Sequence, residues 1–139
     1  MKHLTIRLED KFLDEIKRLS KILGGETSHI IRFCVDFTAG MLDTKVNPEM
    51  ETAMRVAVSS LSANGGQIVS FRIPDHTYEK LAVLKEVLRT GVTSDAIRFC
   101  ISFTTAMLDV EKVSVSMRQV LKRTVRELCS TKDYTPSRQ

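Results

Sequence analysis

Tryptophan is absent from this sequence, and cysteine and proline occur only three times each in 139 residues. An odd number of cysteines with no Cys-x-x-Cys pair argues against a disulfide framework and against a structural zinc site. No apolar run reaches the roughly 18 residues that a membrane-spanning helix needs, so a membrane is not an expected partner. The amino terminus, Met1-Lys2-His3-Leu4-Thr5-Ile6-Arg7, puts charge where a signal peptide needs its apolar stretch. A cytoplasmic protein is the expectation. Catalytic signatures are missing too: His3, His29 and His76 lack metal-ligand spacing, and there is no Gly-rich phosphate loop and no nucleophile elbow. Ser28 beside His29 cannot form a nucleophile–base pair across one helical turn. The expectation is no enzyme, no metal and no cofactor.

What is present is a globular balance, 42% hydrophobic and 27% charged, with enough apolar material for a core. Twenty-one Lys and Arg against seventeen Asp and Glu give a net charge of +4. Residues 1–62 hold nine basic and nine acidic side chains, whereas residues 63–139 hold twelve and eight. The whole excess therefore lies in the second half. It permits a polyanionic partner without predicting one.

A repeat runs through the chain. Ile31-Arg32-Phe33-Cys34 returns unchanged as Ile97-Arg98-Phe99-Cys100, and Ala39-Gly40-Met41-Leu42-Asp43 is matched by Thr105-Ala106-Met107-Leu108-Asp109. Upstream, Ile6-Arg7-Leu8-Glu9-Asp10 is matched by Phe71-Arg72-Ile73-Pro74-Asp75, with one extra residue in the second copy's turn, Arg89-Thr90-Gly91-Val92. Downstream, Met50, Met54, Val58 and Leu61 match Met117, Leu121, Val125 and Leu128. This is a duplication. It divides the chain into a unit over 1–62, a linker at 63–66, a unit over 67–130 and a short tail at 131–139.

Each unit reads the same way. Leu4, Ile6 and Leu8 alternate with His3, Thr5 and Arg7, and Val69, Phe71 and Ile73 alternate with Ile68, Ser70 and Arg72. A period of two marks a half-buried strand. Asp10 and Asp75 stand as helix N-caps, followed at helical spacing by Phe12, Ile16, Leu19 and Leu23, and by Tyr78, Leu81, Leu84 and Leu88. Gly24-Gly25 and Gly91 close these helices. Thr27-Ser28 and Thr93-Ser94 open second helices reaching about Asp43 and Asp109. A third helix starts at Asn47-Pro48, and its counterpart spans about 114–130.

The second helix settles the architecture. Ile30, Ile31, Phe33, Cys34, Val35, Phe37, Met41 and Leu42 leave almost no polar face, so it must be buried on nearly all sides. A lone strand also lacks a ladder partner. Both deficits vanish if the two units interlock as one globular domain. The expected fold class is mostly α with a two-stranded antiparallel β-ribbon, each repeat followed by a third helix.

The strand His3-Leu4-Thr5-Ile6-Arg7-Leu8 and the turn Gly91-Val92-Thr93-Ser94-Asp95-Ala96-Ile97-Arg98 resemble the ribbon-helix-helix (MetJ/Arc/CopG) DNA-binding superfamily. The resemblance covers about 2–43 and 67–109. The third helices lie outside the usual motif, and a tandem in one chain departs from a family that assembles its fold from two chains. The tandem form is similar to duplicated small regulators of archaea and their viruses, which would place a viral chain in a host cytoplasm.

The resemblance implies a sequence-specific, double-stranded DNA-binding transcription regulator, a repressor, with the paired strands in the major groove. Outward residues on a strand recur every ~6.6 Å, about two base-pair steps. His3, Thr5, Arg7, Ile68, Ser70 and Arg72 are then the candidates for base contact. Arg7 and Arg72 offer a fork to guanine, Thr5 and Ser70 donate or accept, and Ile68 meets a thymine methyl or nothing. The alternative is a solvated ribbon face. The two repeats differ here, so a perfect palindrome is not demanded. Thr27, Ser28 and His29, with Thr93 and Ser94, are the candidates for phosphate contact at the amino ends of the second helices. The alternative is that Ser28 and Ser94 merely cap their helices, and a capping hydroxyl leaves other donors free, so both can hold. Asp95 is awkward beside a phosphate.

Arg118, Lys122 and Arg126, with Arg123 beside them, read as a solvated face ahead of an auxiliary backbone contact. Cys34 and Cys100 read as buried apolar residues rather than a disulfide, and Phe33, Phe37, Phe99 and Phe103 as core. The third helices either cover the core or join two chains side by side on DNA as a homodimer or higher homo-oligomer. The rival function is an antitoxin-like or other protein-interaction module; a tail of only nine residues, Thr131 to Gln139, counts against it.

Overall fold

Alternating side chains hold two seven-residue segments extended, and each supplies the other's ladder. In the computed structural model, which describes residues 1–59, 61, 65–108 and 123, strand β1 (Lys2–Leu8) is followed by helices α1 (Asp10–Leu23), α2 (Thr27–Leu42) and α3 (Pro48–Ser59). Strand β2 (Gln67–Ile73) then leads into α4 (Asp75–Leu88) and α5 (Thr93–Leu108). β1 and β2 form a two-stranded antiparallel sheet running from Lys2 opposite Ile73 to Leu8 opposite Gln67. Both strands share one burial pattern, with Ile6, Leu8, Phe71 and Ile73 turned into the core.

The core is built from both repeats. Leu8, Phe12, Leu19, Leu23, Ile30, Ile31, Ile73, Leu81 and Ile97 are almost wholly excluded from water. α2 and α5 pack together at the centre, α1 rests on α5, and α4 rests on α2. A file of phenylalanines runs through their contact: Phe33 stacks on Phe37 (5.6 Å between centroids), Phe37 lies 6.3 Å from Phe103, and Phe103 stacks on Phe99 at 6.0 Å. Cys34 and Cys100 are buried free thiols. α3 starts as its sequence suggests, with Pro48 first and the Asn47 side chain accepting the Met50 N–H at 2.9 Å. It covers Phe99 and Phe103 with Met50, Ala53 and Ala57.

Three local expectations are corrected. Asp10 and Asp75 are the first helical residues rather than caps; the extended cap residues are Glu9 and Pro74. The aspartates still sit at the positive end of the helix dipole. Tyr78 is 37% exposed and Thr77 takes the buried position, because α2 presents Asp36 there. Its carboxylate accepts from the Thr77 hydroxyl and the Lys80 ammonium, both at 3.2 Å. Lastly, α4 closes on Arg89, left-handed at φ 55, ψ 42, and not on Gly91. The extra residue in this turn lets the Thr90 hydroxyl accept the Val92 N–H at 3.1 Å, so no glycine is needed.

The helix expected over about 114–130, the Arg118, Lys122 and Arg126 stripe, Cys129 and the 131–139 tail lie outside the described residues, as do linker residues 63 and 64. Arg123 alone of that stretch is described, helical and exposed.

Candidate functional site

One face of the ribbon is bare of core contacts. The register sets His3 opposite Arg72, Thr5 opposite Ser70 and Arg7 opposite Ile68, and all six side chains are exposed. These are the six expected base-contact residues. Thr5 and Ser70 occupy the middle pair, their hydroxyls 3.2 Å apart. Arg7 and Arg72 therefore stand diagonally on either side of that centre, two residues out in opposite directions. A rise of about 3.3 Å per residue separates them by roughly 13 Å along the ribbon. Arg7 leans toward the seam, donating to the Gly66 carbonyl at 3.4 Å. Ile68, 61% exposed, is an apolar residue on an otherwise polar face.

The amino ends of α2 and α5 are built differently. At α2 the cap is Glu26, not Ser28: its carboxylate accepts the His29 N–H while His29 Nδ1 accepts the Glu26 N–H at 3.4 Å. That bond leaves the His29 ring proton on Nε2. Burial holds the imidazole below its usual range, the Arg32 charge adds to this, and Glu26 opposes it. His29 thus presents a neutral donor rather than a cation. Thr27 is exposed and Ser28 half-buried.

At α5 the hydroxyls are already acceptors. Thr93 takes a bond from Lys85 Nζ at 3.3 Å, and Ser94 one from Arg98 Nη1 at 3.3 Å. Each keeps its own proton to donate outward. Asp95, an awkward neighbour for an anion, is bound by Arg98 Nη1 at 2.9 Å and by the Thr90 hydroxyl at 3.2 Å. Its charge is compensated.

A depression of about 590 Å³ joins the two sets of candidates, with Thr5, Arg7 and Ile68 on its ribbon side and Thr93, Ser94, Asp95 and Arg98 on its helix side. His3, Ser70 and Arg72 of the ribbon and Thr27, Ser28 and His29 of α2 lie outside it.

Two residues of the site were missed as functional. Arg32 and Arg98 are only 3% and 4% exposed, inside the most apolar helices. Arg32 Nε donates to the Arg72 carbonyl at 2.7 Å, and Arg98 Nη2 donates to the Arg7 carbonyl at 2.9 Å. The two bonds are equivalent in the two repeats. Arg98 Nε also meets Glu9 Oε1 at 3.1 Å. The signal was in the sequence: a charged residue at the same place in both copies of an apolar helix must find buried partners.

Among the described residues no cluster of His, Cys, Asp and Glu is suited to hold a metal ion, and no helix is long and apolar enough to cross a membrane. Comparison with protein-family models, with curated proteins and with solved structures returns no match.

Proposed function

We propose that this chain is a sequence-specific double-stranded DNA-binding regulator of transcription, a repressor, working as a single-chain tandem ribbon-helix-helix pseudo-dimer. The observation that carries the reading is the exposed ribbon face, with Arg7 and Arg72 set diagonally about the Thr5–Ser70 pair. A two-stranded ribbon fits the major groove. The roughly 13 Å between the arginines corresponds to about four base-pair steps of ~3.4 Å. Each guanidinium forks onto a guanine, and the two hydroxyls between them read the central pairs by donating or accepting.

The helix ends hold the backbone. Thr93 and Ser94 have hydroxyl protons to donate, and both sit in the first turn of α5, where the helix dipole favours an anion. Thr27, Ser28 and the His29 Nε2–H do the same at α2. Base reading and phosphate grip then flank a common depression in one half of the molecule. Because Ile68 faces Arg7 where His3 faces Arg72, the two half-sites differ. The reading requires no metal or cofactor.

Selection of bound fragments from random duplex DNA at fixed salt, followed by gel-shift titration, tests the proposal. Arg7→Ala and Arg72→Ala should each cost about 1–3 kcal/mol of binding and relax preference at separate positions of the selected site. Unchanged affinity and preference in both variants would overturn it.

A further inference from the structure

We infer that Arg98 is a positioning residue for sequence reading, yoking the reading arginine Arg7 to the phosphate-gripping end of α5, with Arg32 in the equivalent place behind Arg72. The inference rests on the DNA-reading proposal and assigns specificity to a side chain that does not touch the groove face.

The geometry is a single fork with four acceptors. Arg98 Nη2 holds the Arg7 carbonyl at 2.9 Å, Nε holds Glu9 Oε1 at 3.1 Å, and Nη1 holds Ser94 Oγ at 3.3 Å and Asp95 Oδ1 at 2.9 Å. Those acceptors belong to three elements: the strand that carries the reader, the cap of α1 and the first turn of α5. In a two-stranded ribbon every second carbonyl turns away from the partner strand, so it needs a donor from elsewhere. Arg98 supplies that donor at the peptide of the reading residue itself. A planar guanidinium presents five N–H groups in fixed directions, and a lysine ammonium cannot meet the same set. The side chain is nearly dry, so these bonds do not exchange freely with water.

Phosphate contacts supply most non-specific affinity, and base contacts supply discrimination. Discrimination requires that the Arg7 fork reach its base while α5 sits on its phosphate, which is a distance between two elements. Arg98 fixes that distance. Weakening it should cost specificity and leave the phosphate term in place. The equivalents of Glu9 and Asp95 in the other half are Pro74 and His29, so neither of these two carboxylates has a counterpart at the matched position.

Arg98→Lys tests this, because it preserves the charge and removes the fork. The wild type and the variant are each titrated against the selected duplex and a scrambled one across a salt series, well below the thermal midpoint. The expected result is a specific Kd raised about tenfold, the size of one lost base contact, with the scrambled Kd and the salt slope within about twofold of wild type. The lost preference should fall on the positions that Arg7→Ala also loses, and those lost in Arg72→Ala should persist. A ratio of specific to scrambled affinity equal to the wild type's overturns the inference, as does an equal loss on both duplexes. Should Arg98→Lys fail to fold, Glu9→Ala, which removes the acceptor from one arm of the fork, should lower the ratio about threefold, and an unchanged ratio there overturns the inference equally. A wild type that selects no sequence overturns the DNA-reading proposal itself, an outcome visible before any variant is made.

Discussion

The two halves of the chain repeat one order of elements, strand then helices, yet they match closely only where they meet. Thr5 meets Ser70 at the ribbon centre, Arg32 and Arg98 make matching bonds to strand carbonyls, and Phe37 and Phe103 lie against each other. Cys34 and Cys100 are both fully buried, and burial raises both thiols, Cys34 up to about 12, so neither is a reactive thiolate at neutral pH. Away from that contact the halves diverge. α1 closes on Gly24 and α4 on Arg89; α2 opens with a Glu26–His29 box and α5 with the Thr90–Asp95–Arg98 chain. Thr5 and Phe37 each touch their own counterpart, so a change in one must be accommodated by the other. Residues at the periphery carry no such coupling and are free to differ.

The seam between the halves gives the largest test. At one end of the ribbon the chain passes over the Leu8–Glu9 backbone at Gly66, whose φ is +102, and a Cβ there would collide with the Leu8 carbonyl and the Glu9 nitrogen. Gly66→Ala should destabilise the fold by about 2–4 kcal/mol, combining backbone strain with the clash. That is a fall of roughly 8–16 °C in thermal midpoint for a domain of this size. Gly91→Ala is the contrast: its Cβ would meet nothing within 4 Å, so the stability should stay within about 0.5 kcal/mol of wild type. Equal effects at the two glycines would refute the close approach at the seam.

A second test separates the two turns. Arg89 holds a left-handed conformation that costs a non-glycine residue about 1–2 kcal/mol, partly offset by the greater unfolded freedom of glycine. Arg89→Gly should therefore raise stability by about 0.5–1 kcal/mol, a shift of a few degrees in a thermal melt. A lower midpoint would mean that the arginine side chain supports the turn.

The ribbon and its outward six residues were legible because a period of two assigns each side chain to a face without reference to anything distant. The start of α3 was legible because Asn47-Pro48 carries its own cap. What escaped depended on partners far along the chain. Thr77 displaces Tyr78 from the core because Asp36, on α2, waits for its hydroxyl. Arg98 is buried because Glu9 and the Arg7 carbonyl, about ninety residues earlier in the chain, meet it. Gly91 gave a false stop because one inserted residue and the Thr90 hydroxyl built the turn by another route. Local pattern places elements and faces; it does not report which polar groups will be brought together underneath them.

The subtlest difference between the halves is electrostatic, and it gives the smallest expected effect. Glu15 in α1 and Lys80 in α4 occupy equivalent positions, but Lys80 meets Asp36 at 3.2 Å, whereas Glu15 Oε2 is buried with no hydrogen-bond partner among the described residues. Burial raises the Glu15 carboxyl above its ordinary value, against the opposing charges of Lys11 and Arg18. A raised folded value means that the folded chain holds this proton more tightly than the unfolded one. The stability it contributes is complete below the unfolded value of 4.5 and is lost as the pH rises through the folded value. Glu15→Gln carries no such titration. Wild type and variant should therefore unfold at nearly the same urea concentration at about pH 4, and the variant should become the more stable of the two as the pH rises to 7. Asp36 is also raised by burial, against Lys80 and Thr77, so it adds a slope of the same sign to both proteins and cancels from the difference. A difference that grows toward acid would show that Glu15 is better solvated than its place in α1 implies.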